Sequence, residues 1–239
     1  MKSSVAALTV GLVWIATTNA AKAVTIYDGT NLAQPKPDQQ GWTYKGTTIY
    51  KAPSVTTSND GITLDSGNPL NYAGYFKLSP IALDCTKGYS FTIQLKINSE
   101  SHSSNNRAGF SVIAMCDIRP GETQPYGIEL GFWTSNNINT IFAQNVGFNK
   151  GETAAFNTQG AITEYNLVVK DNKYQLFANK SAQPILQGSL RQYTGFTPPP
   201  GYQNPYTTSR LIFAGDNTTS ATANWKLKRV DVAPITQFP

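Results

Sequence analysis

Residues 89–98 read "YSFTIQLKIN". Phe91, Ile93, Leu95 and Ile97 fall on one side of an extended chain, and Thr92, Gln94 and Lys96 on the other. That two-residue period belongs to a strand with one buried face. The pattern recurs. "YNLVVKDNKYQLFAN" (165–179) reads as two strands around Asp171-Asn172, a dipeptide suited to a tight hairpin turn. Further strands are expected over 41–50, 61–66, 72–78, 109–116, 126–133, 139–144, 185–190, 210–214 and 221–232, with Gly, Asn, Asp and Pro turns between them. Helical periodicity is nearly absent. About a dozen short strands without a linker or repeat predict one all-β domain over 24–239, a two-sheet antiparallel sandwich or jelly roll with helix limited to a turn or two. The stretch "TGFTPPPGYQNPYTTS" (194–209) is a long proline-braced loop, and loops of that length often line a binding site.

The N-terminus carries a second signal. Met1 and Lys2 precede the apolar run "VAALTVGLVWIA" (5–16), and small residues follow at Ala21 and Ala23. This reads as a secretory signal peptide over 1–23, too short and wrongly flanked for a membrane span. Export to the extracellular space or the periplasm is the expectation. Removing 1–23 takes away Lys2 and Lys22, so the 19 basic residues fall to 17 against 14 acids. No run of Lys or Arg is present, which argues against nucleic acid as a partner. No later apolar stretch approaches spanning length.

Cys85 and Cys116 are the two cysteines, an even number in an oxidising destination. A disulfide needs their α-carbons within about 7 Å. Sequence position does not force that, so a bridge and a pair of buried thiols both stay open. With one histidine in the chain, a structural zinc site is excluded.

In "SESHSSNNRAGFSVI" (99–113), Glu100, His102, Asn106 and Arg107 lie close together. This segment is expected to be a connection over 98–108 between strands 89–97 and 109–116, with His102 in an exposed turn. In "YGIELGFW" (126–133), Tyr126, Ile128, Leu130 and Phe132 read as core, which puts Glu129 and Trp133 on the opposite face beside Gly127 and Gly131. A carboxylate beside an aromatic ring with little bulk around it can accept a sugar. The alternative is a Trp that covers a sheet and a Glu paired with Arg107. The candidate ligand set is therefore Glu100, His102, Asn106, Arg107, Glu129, Trp133 and Gln144, with Arg107 as organiser because its planar fork can bridge Glu129 and still offer donors. A retaining hydrolase needs a second carboxylate flanking the bond. The positions two residues from Glu129 are glycines, which disfavours that chemistry. A lyase would use His102 or a tyrosine as base, with Arg107 and Gln144 neutralising a uronic carboxylate.

Three stretches carry a family resemblance: "SESHSSNNRAGFSVI"; "GIELGFW" followed by "IFAQN"; and "LRQY" with "PYTTSRLIFAGDNTTSATA". Over Asp28 to Asp231 the chain resembles a group of secreted bacterial exoproteins whose fold is similar to the concanavalin A-like lectin and glucanase sandwich. The resemblance implies that jelly-roll sandwich, while this chain lacks the clustered Arg-Glu and Gln-x-His strand motifs of the sandwich-fold alginate lyases. The resemblance also implies one structural calcium, held by Asp28 with Asp231, or by Asp216 with Asn217. Either pair could instead form a turn. The expected function is a carbohydrate-binding (lectin-like) or extracellular-matrix module with a polysaccharide or glycan partner. The alternatives are a polysaccharide lyase or glycoside hydrolase, and a ligand-free structural surface protein.

Overall fold

The alternation at 89–98 folds as read. In the computed structural model, which describes residues 22–47, 51–135, 138–198 and 203–235, this segment is the central strand of a sheet. The leader expected over 1–23 lies, but for its last two residues, outside the described residues. In chain order the strands are β1 (Val24–Asp28), β2 (Thr43–Gly46), β3 (Ser54–Ser58), β4 (Gly61–Asp65), β5 (Ala73–Leu78), β6 (Tyr89–His102), β7 (Phe110–Met115) and β8 (Gly127–Ser135). They continue as β9 (Ile138–Gln144), β10 (Lys150–Ala155), β11 (Thr163–Lys170), β12 (Lys173–Ala178), β13 (Leu186–Ser189), β14 (Leu211–Asp216) and β15 (Ala221–Pro234). Helix among the described residues is two short 3-10 turns, Pro37–Gln40 and Pro205–Thr207, and no helix is long and apolar enough to cross a membrane.

An eight-stranded sheet runs β13-β12-β11-β6-β15-β4-β3, with β1 also on β15; a seven-stranded sheet runs β10-β9-β8-β7-β14-β5-β2. Every pairing is antiparallel. Asp171 and Asn172 both take positive φ, 50° and 59°, between β11 and β12, as a two-residue hairpin turn requires. The inner faces meet in one core. Phe91, Ile93, Leu95 and Ile97 of β6 are at most 2% exposed and pack with Trp225, Leu227, Val230 and Val232 of β15. Each such side chain contributes about 1.5–3 kcal/mol by leaving water. Phe110 and Phe132 of the facing sheet link Trp225 to Tyr165, with centroids 4.9–5.3 Å apart.

Two bulges adjust this pairing. On β15, Lys228 is the extra residue between Leu227↔Leu95 and Arg229↔Gln94. The inward positions therefore change from Trp225 and Leu227 to Val230 and Val232, a slip visible in the sequence. On β6, Asn98 is the extra residue, because Trp225 faces Ile97 and Asn224 faces Ser99. A bulge reverses which side chains face inward. Glu100 and His102 therefore turn inward, and β6 continues to His102 rather than ending at Ile97. The expected loop over 98–108 shortens to the residues after His102, and His102 is not in an exposed turn: its side chain is 12% exposed.

Cys85 and Cys116 form a disulfide with α-carbons 5.7 Å apart.

Candidate functional site

The outer face of the seven-stranded sheet holds the chemistry. Glu129, Ile113, Phe213 and Phe76 form one row across β8, β7, β14 and β5. The proline-braced segment lies over this row: Tyr193, Phe196 and Tyr206 pack against Ile113, Met115, Leu211 and Phe213 as a second apolar cluster. Asn204 aims Tyr206 by accepting its backbone N–H at 2.9 Å, capping the turn Pro205–Thr207. Tyr193 enters where β8 and β9 separate. Its hydroxyl accepts from the Glu129 N–H (2.9 Å) and donates to the Gln144 carbonyl (2.8 Å).

Glu129 is consequently buried, at 1% exposure. Its Oε2 accepts from the Tyr206 hydroxyl at 2.6 Å and its Oε1 from Asn217 Nδ2 at 3.1 Å. Arg107 Nη2 stands 3.4 Å from Oε1. The guanidinium also donates to Gln144 Oε1 (3.2 Å) and Asn217 Oδ1 (3.0 Å), and lies over the Phe148 ring. Burial would lower the Arg107 pKa, but Glu129 beside it and Tyr206 hold it raised. Burial, then the Glu129 charge, push the Tyr206 phenol well up. This network brings together Arg107, Glu129 and Gln144, as expected, with Glu129 and Gln144 buried and the Arg107 side chain at 15% exposure. The glycines beside Glu129 leave no open floor either. Met115 covers Gly127 and the Phe142 ring covers Gly131, where an added Cβ would stand 2.4 Å from each.

A second cluster stands at the rim, where the chain leaves β6 for the facing sheet. Glu100 is its keystone, with a side chain at 0% exposure. It accepts from the Gly109 and Thr134 N–H groups (3.1 and 2.8 Å) and meets His102 Nδ1 at 3.0 Å. The His102 ring lies 4.2 Å from Trp133, and the Lys150 ammonium sits over the same indole, a cation–π contact. Asn106, exposed, accepts the Lys150 backbone N–H at 3.2 Å. Burial lowers the Lys150 pKa against the opposing pull of Glu100. Trp133 is thus flanked by His102 and Lys150 rather than presented as a bare platform. His102 and Lys150 are held against it, while Asn106 and Arg107 stand in the connection that follows β6. Sequence reasoning missed Lys150, Tyr193 and Tyr206, because nothing local ties β10 or the proline-rich segment to β8.

The acidic pairs read as calcium ligands are differently employed. β1 does lie against β15, but Arg229 takes both carboxylates, Asp28 at 3.4 Å and Asp231 at 2.8 Å. Arg229 thus supplies a positive charge to both carboxylates. Among the described residues no group of three or more His, Cys, Asp or Glu gathers as a metal site. Asn217 turns to Glu129, while Asp216 Oδ1 accepts the Thr218 N–H at 3.1 Å, a turn motif.

Asp216 is 1% exposed, and burial raises its carboxyl pKa well above the usual carboxylate range. The folded protein then keeps this proton to higher pH than the unfolded chain, so stability falls as pH climbs from about 4 through the folded value. Asp216→Asn keeps the acceptor for Thr218 and removes the charge. It is expected to raise the melting temperature at about pH 8 and to leave it nearly unchanged at about pH 3.5. An unchanged melting temperature at the higher pH would contradict this.

No protein-family model matches the chain, and no curated protein matches it in sequence. In structure it is similar to a carbohydrate esterase of the Shiga toxin-encoding bacteriophage phi24B, at 12% identity and TM-score 0.56 over 89% of this chain and 99% of that one. It is also similar to a Bacillus subtilis protein of unknown function with a galectin-like fold, at 11% identity and TM-score 0.52 over 90% and 97%. The VIP36 exoplasmic/lumenal domain in its Ca2+/Man2-bound form matches at 10% identity and TM-score 0.44 over 83% and 82%. At such identities the likeness concerns the fold alone. That fold is a concanavalin A-like, two-sheet antiparallel jelly-roll sandwich.

Proposed function

We propose that the protein is an exported carbohydrate-binding module whose glycan is held at the rim formed by His102, Asn106, Lys150 and the remaining donors of Arg107, beside Trp133. One observation carries the reading. Glu100, its carboxylate held by the Gly109 and Thr134 N–H groups, fixes the His102 ring against Trp133, and a fixed donor beside an aromatic face suits a sugar. Glu129 and Gln144 then act by positioning Arg107, without touching ligand. The likeness to a carbohydrate esterase in fold agrees with a glycan partner. Export rests on the leader-like residues 1–23.

A second reading, a polysaccharide lyase, is favoured by the Glu100–His102 pair. Nδ1 is engaged by a carboxylate, which leaves Nε2 as the nitrogen able to take a proton.

A glycan array run beside an assay for new ultraviolet-absorbing double bonds separates the two. Binding without product is expected. His102→Ala and Asn106→Ala are expected to weaken retention at least tenfold while the melting curve stays within a few degrees, since neither side chain is in the core. If both variants bind every polysaccharide like the parent, the rim is only a strand connection. Product formation that disappears in His102→Ala establishes the lyase instead.

A further inference from the structure

The row of residues that begins at Glu129 ends in a different environment. Beyond Phe213, where the proline-braced segment leaves the sheet, a half-open pocket of about 90 Å³ lies between Phe196 and Pro205 on one side and Phe76, Leu211 and Phe213 on the other. Its walls are almost wholly apolar. Its mouth includes Lys45, on the edge strand β2, paired with Gly74 of β5. Lys45 is exposed and has no carboxylate partner among the described residues.

Most of the polar groups in the lining are already committed. Asn217 gives Nδ2 to Glu129 and Tyr206 and takes Arg107 on Oδ1. Gln203 donates to Thr208. Asp216 is buried with its Oδ1 on the Thr218 N–H, and its Oδ2 is buried without a hydrogen-bond partner among the described residues. A sugar entering here would bring several hydroxyls, of which Asp216 Oδ2 could take one, and each further buried hydroxyl without a partner opposes binding. An apolar body loses nothing by the same burial and gains contact with aromatic rings. The one unmatched charge is positive and stands at the entrance.

We infer that this pocket binds a small apolar carboxylate, its hydrocarbon chain or ring seated among Phe76, Leu211 and Phe213 and its anionic head at the Lys45 ammonium. The site is separate from the rim proposed above, and its ligand class is different from a glycan.

Three probes titrated into the purified protein, followed by backbone amide shifts, test this. Octanoate carries both features, octylamine keeps the apolar body with the opposite head, and glucuronate keeps the carboxylate on a hydroxylated body. Octanoate is expected to give saturable shifts at Phe76, Leu211 and Phe213, and to bind about two- to fivefold more tightly than octylamine, the range of an exposed charge pair. Glucuronate is expected to leave those amides unmoved. Lys45→Glu, on an exposed strand, is expected to reverse the order of octanoate and octylamine. Phe76→Ala is expected to weaken octanoate at least tenfold. The inference is overturned if octanoate shows no saturable shift at these positions. It is also overturned if glucuronate shifts them more strongly than octanoate, or if Lys45→Glu leaves the preference as it was. Because the rim and the pocket share no ligand-contacting residue, a negative glycan array does not touch these outcomes.

Discussion

Arg107→Ala is expected to lower folding stability by about 3–5 kcal/mol, the usual consequence of leaving one member of a buried ion pair alone. Glu129 would keep its hydrogen bonds from Tyr206 and Asn217 but lose the one full positive charge facing it. Asn217 Oδ1 and Gln144 Oε1 would lose their donor as well, and a buried acceptor without a partner costs about 1–3 kcal/mol in its own right. Denaturant unfolding of the single variant gives the magnitude. The pair is better judged by a cycle: Arg107→Met with Glu129→Leu removes both charges and keeps the volume roughly filled. It is expected to recover most of the loss, because a well-packed apolar pair commonly matches or exceeds a buried ion pair. A single variant that unfolds within about 1 kcal/mol of the parent would show that Arg107 is a surface group and that the network is not structural.

Replacing both cysteines, Cys85→Ala with Cys116→Ala, is expected to cost roughly 3–4 kcal/mol on the chain-entropy account of a loop with sequence separation 31. For a domain of this size that corresponds to a melting temperature lower by about 10 °C. The bond has structural partners that amplify its effect. Cys116 O accepts from the Arg210 N–H, Cys85 O from the Asn172 N–H, and the Asp117 N–H reaches Leu83 O. The cystine therefore fastens the segment before β6 and the β11–β12 turn to the end of β7, across the two sheets. Both half-cystines are at most 1% exposed, so reductant is expected to act slowly on the folded protein and fully once it is unfolded. Melting curves of the parent with and without reductant, beside the double variant, check this. Equal melting temperatures for parent and variant would show that the unfolded chain gains little freedom when the bond is absent.

Much of the sandwich was legible because burial of one face imposes a two-residue period that composition cannot hide. β6, β8, β11, β12 and β15 announce themselves this way, and even the Lys228 bulge shows as a slip from Leu227 to Val230. β1, β3 and β10 were not read as strands. β3 and β10 are edges with polar, half-exposed residues, and β1 is a short strand whose pairing on β15 is long-range, so no strong period marks any of them. The Asn98 bulge left no trace at all. Ser99, Glu100, Ser101 and His102 are all polar, and reversing the facing of a polar run does not disturb any hydrophobic pattern. It nonetheless decides the rim, since it is the bulge that turns Glu100 and His102 inward.

By itself, then, the amino-acid sequence determined the fold class, the strands with a buried face, and the assignment of Glu129 and Trp133 to the side away from the core. Only the tertiary structure decided that this side is covered. Tyr193 and Tyr206 stand 64 and 77 residues from Glu129, and local periodicity carries no information about what a loop will be laid upon. The same holds for the disulfide and for Arg229 between Asp28 and Asp231. Each depends on strand order, and strand order is set by which whole faces pack together, a property of the assembled sheets that no short stretch of residues encodes.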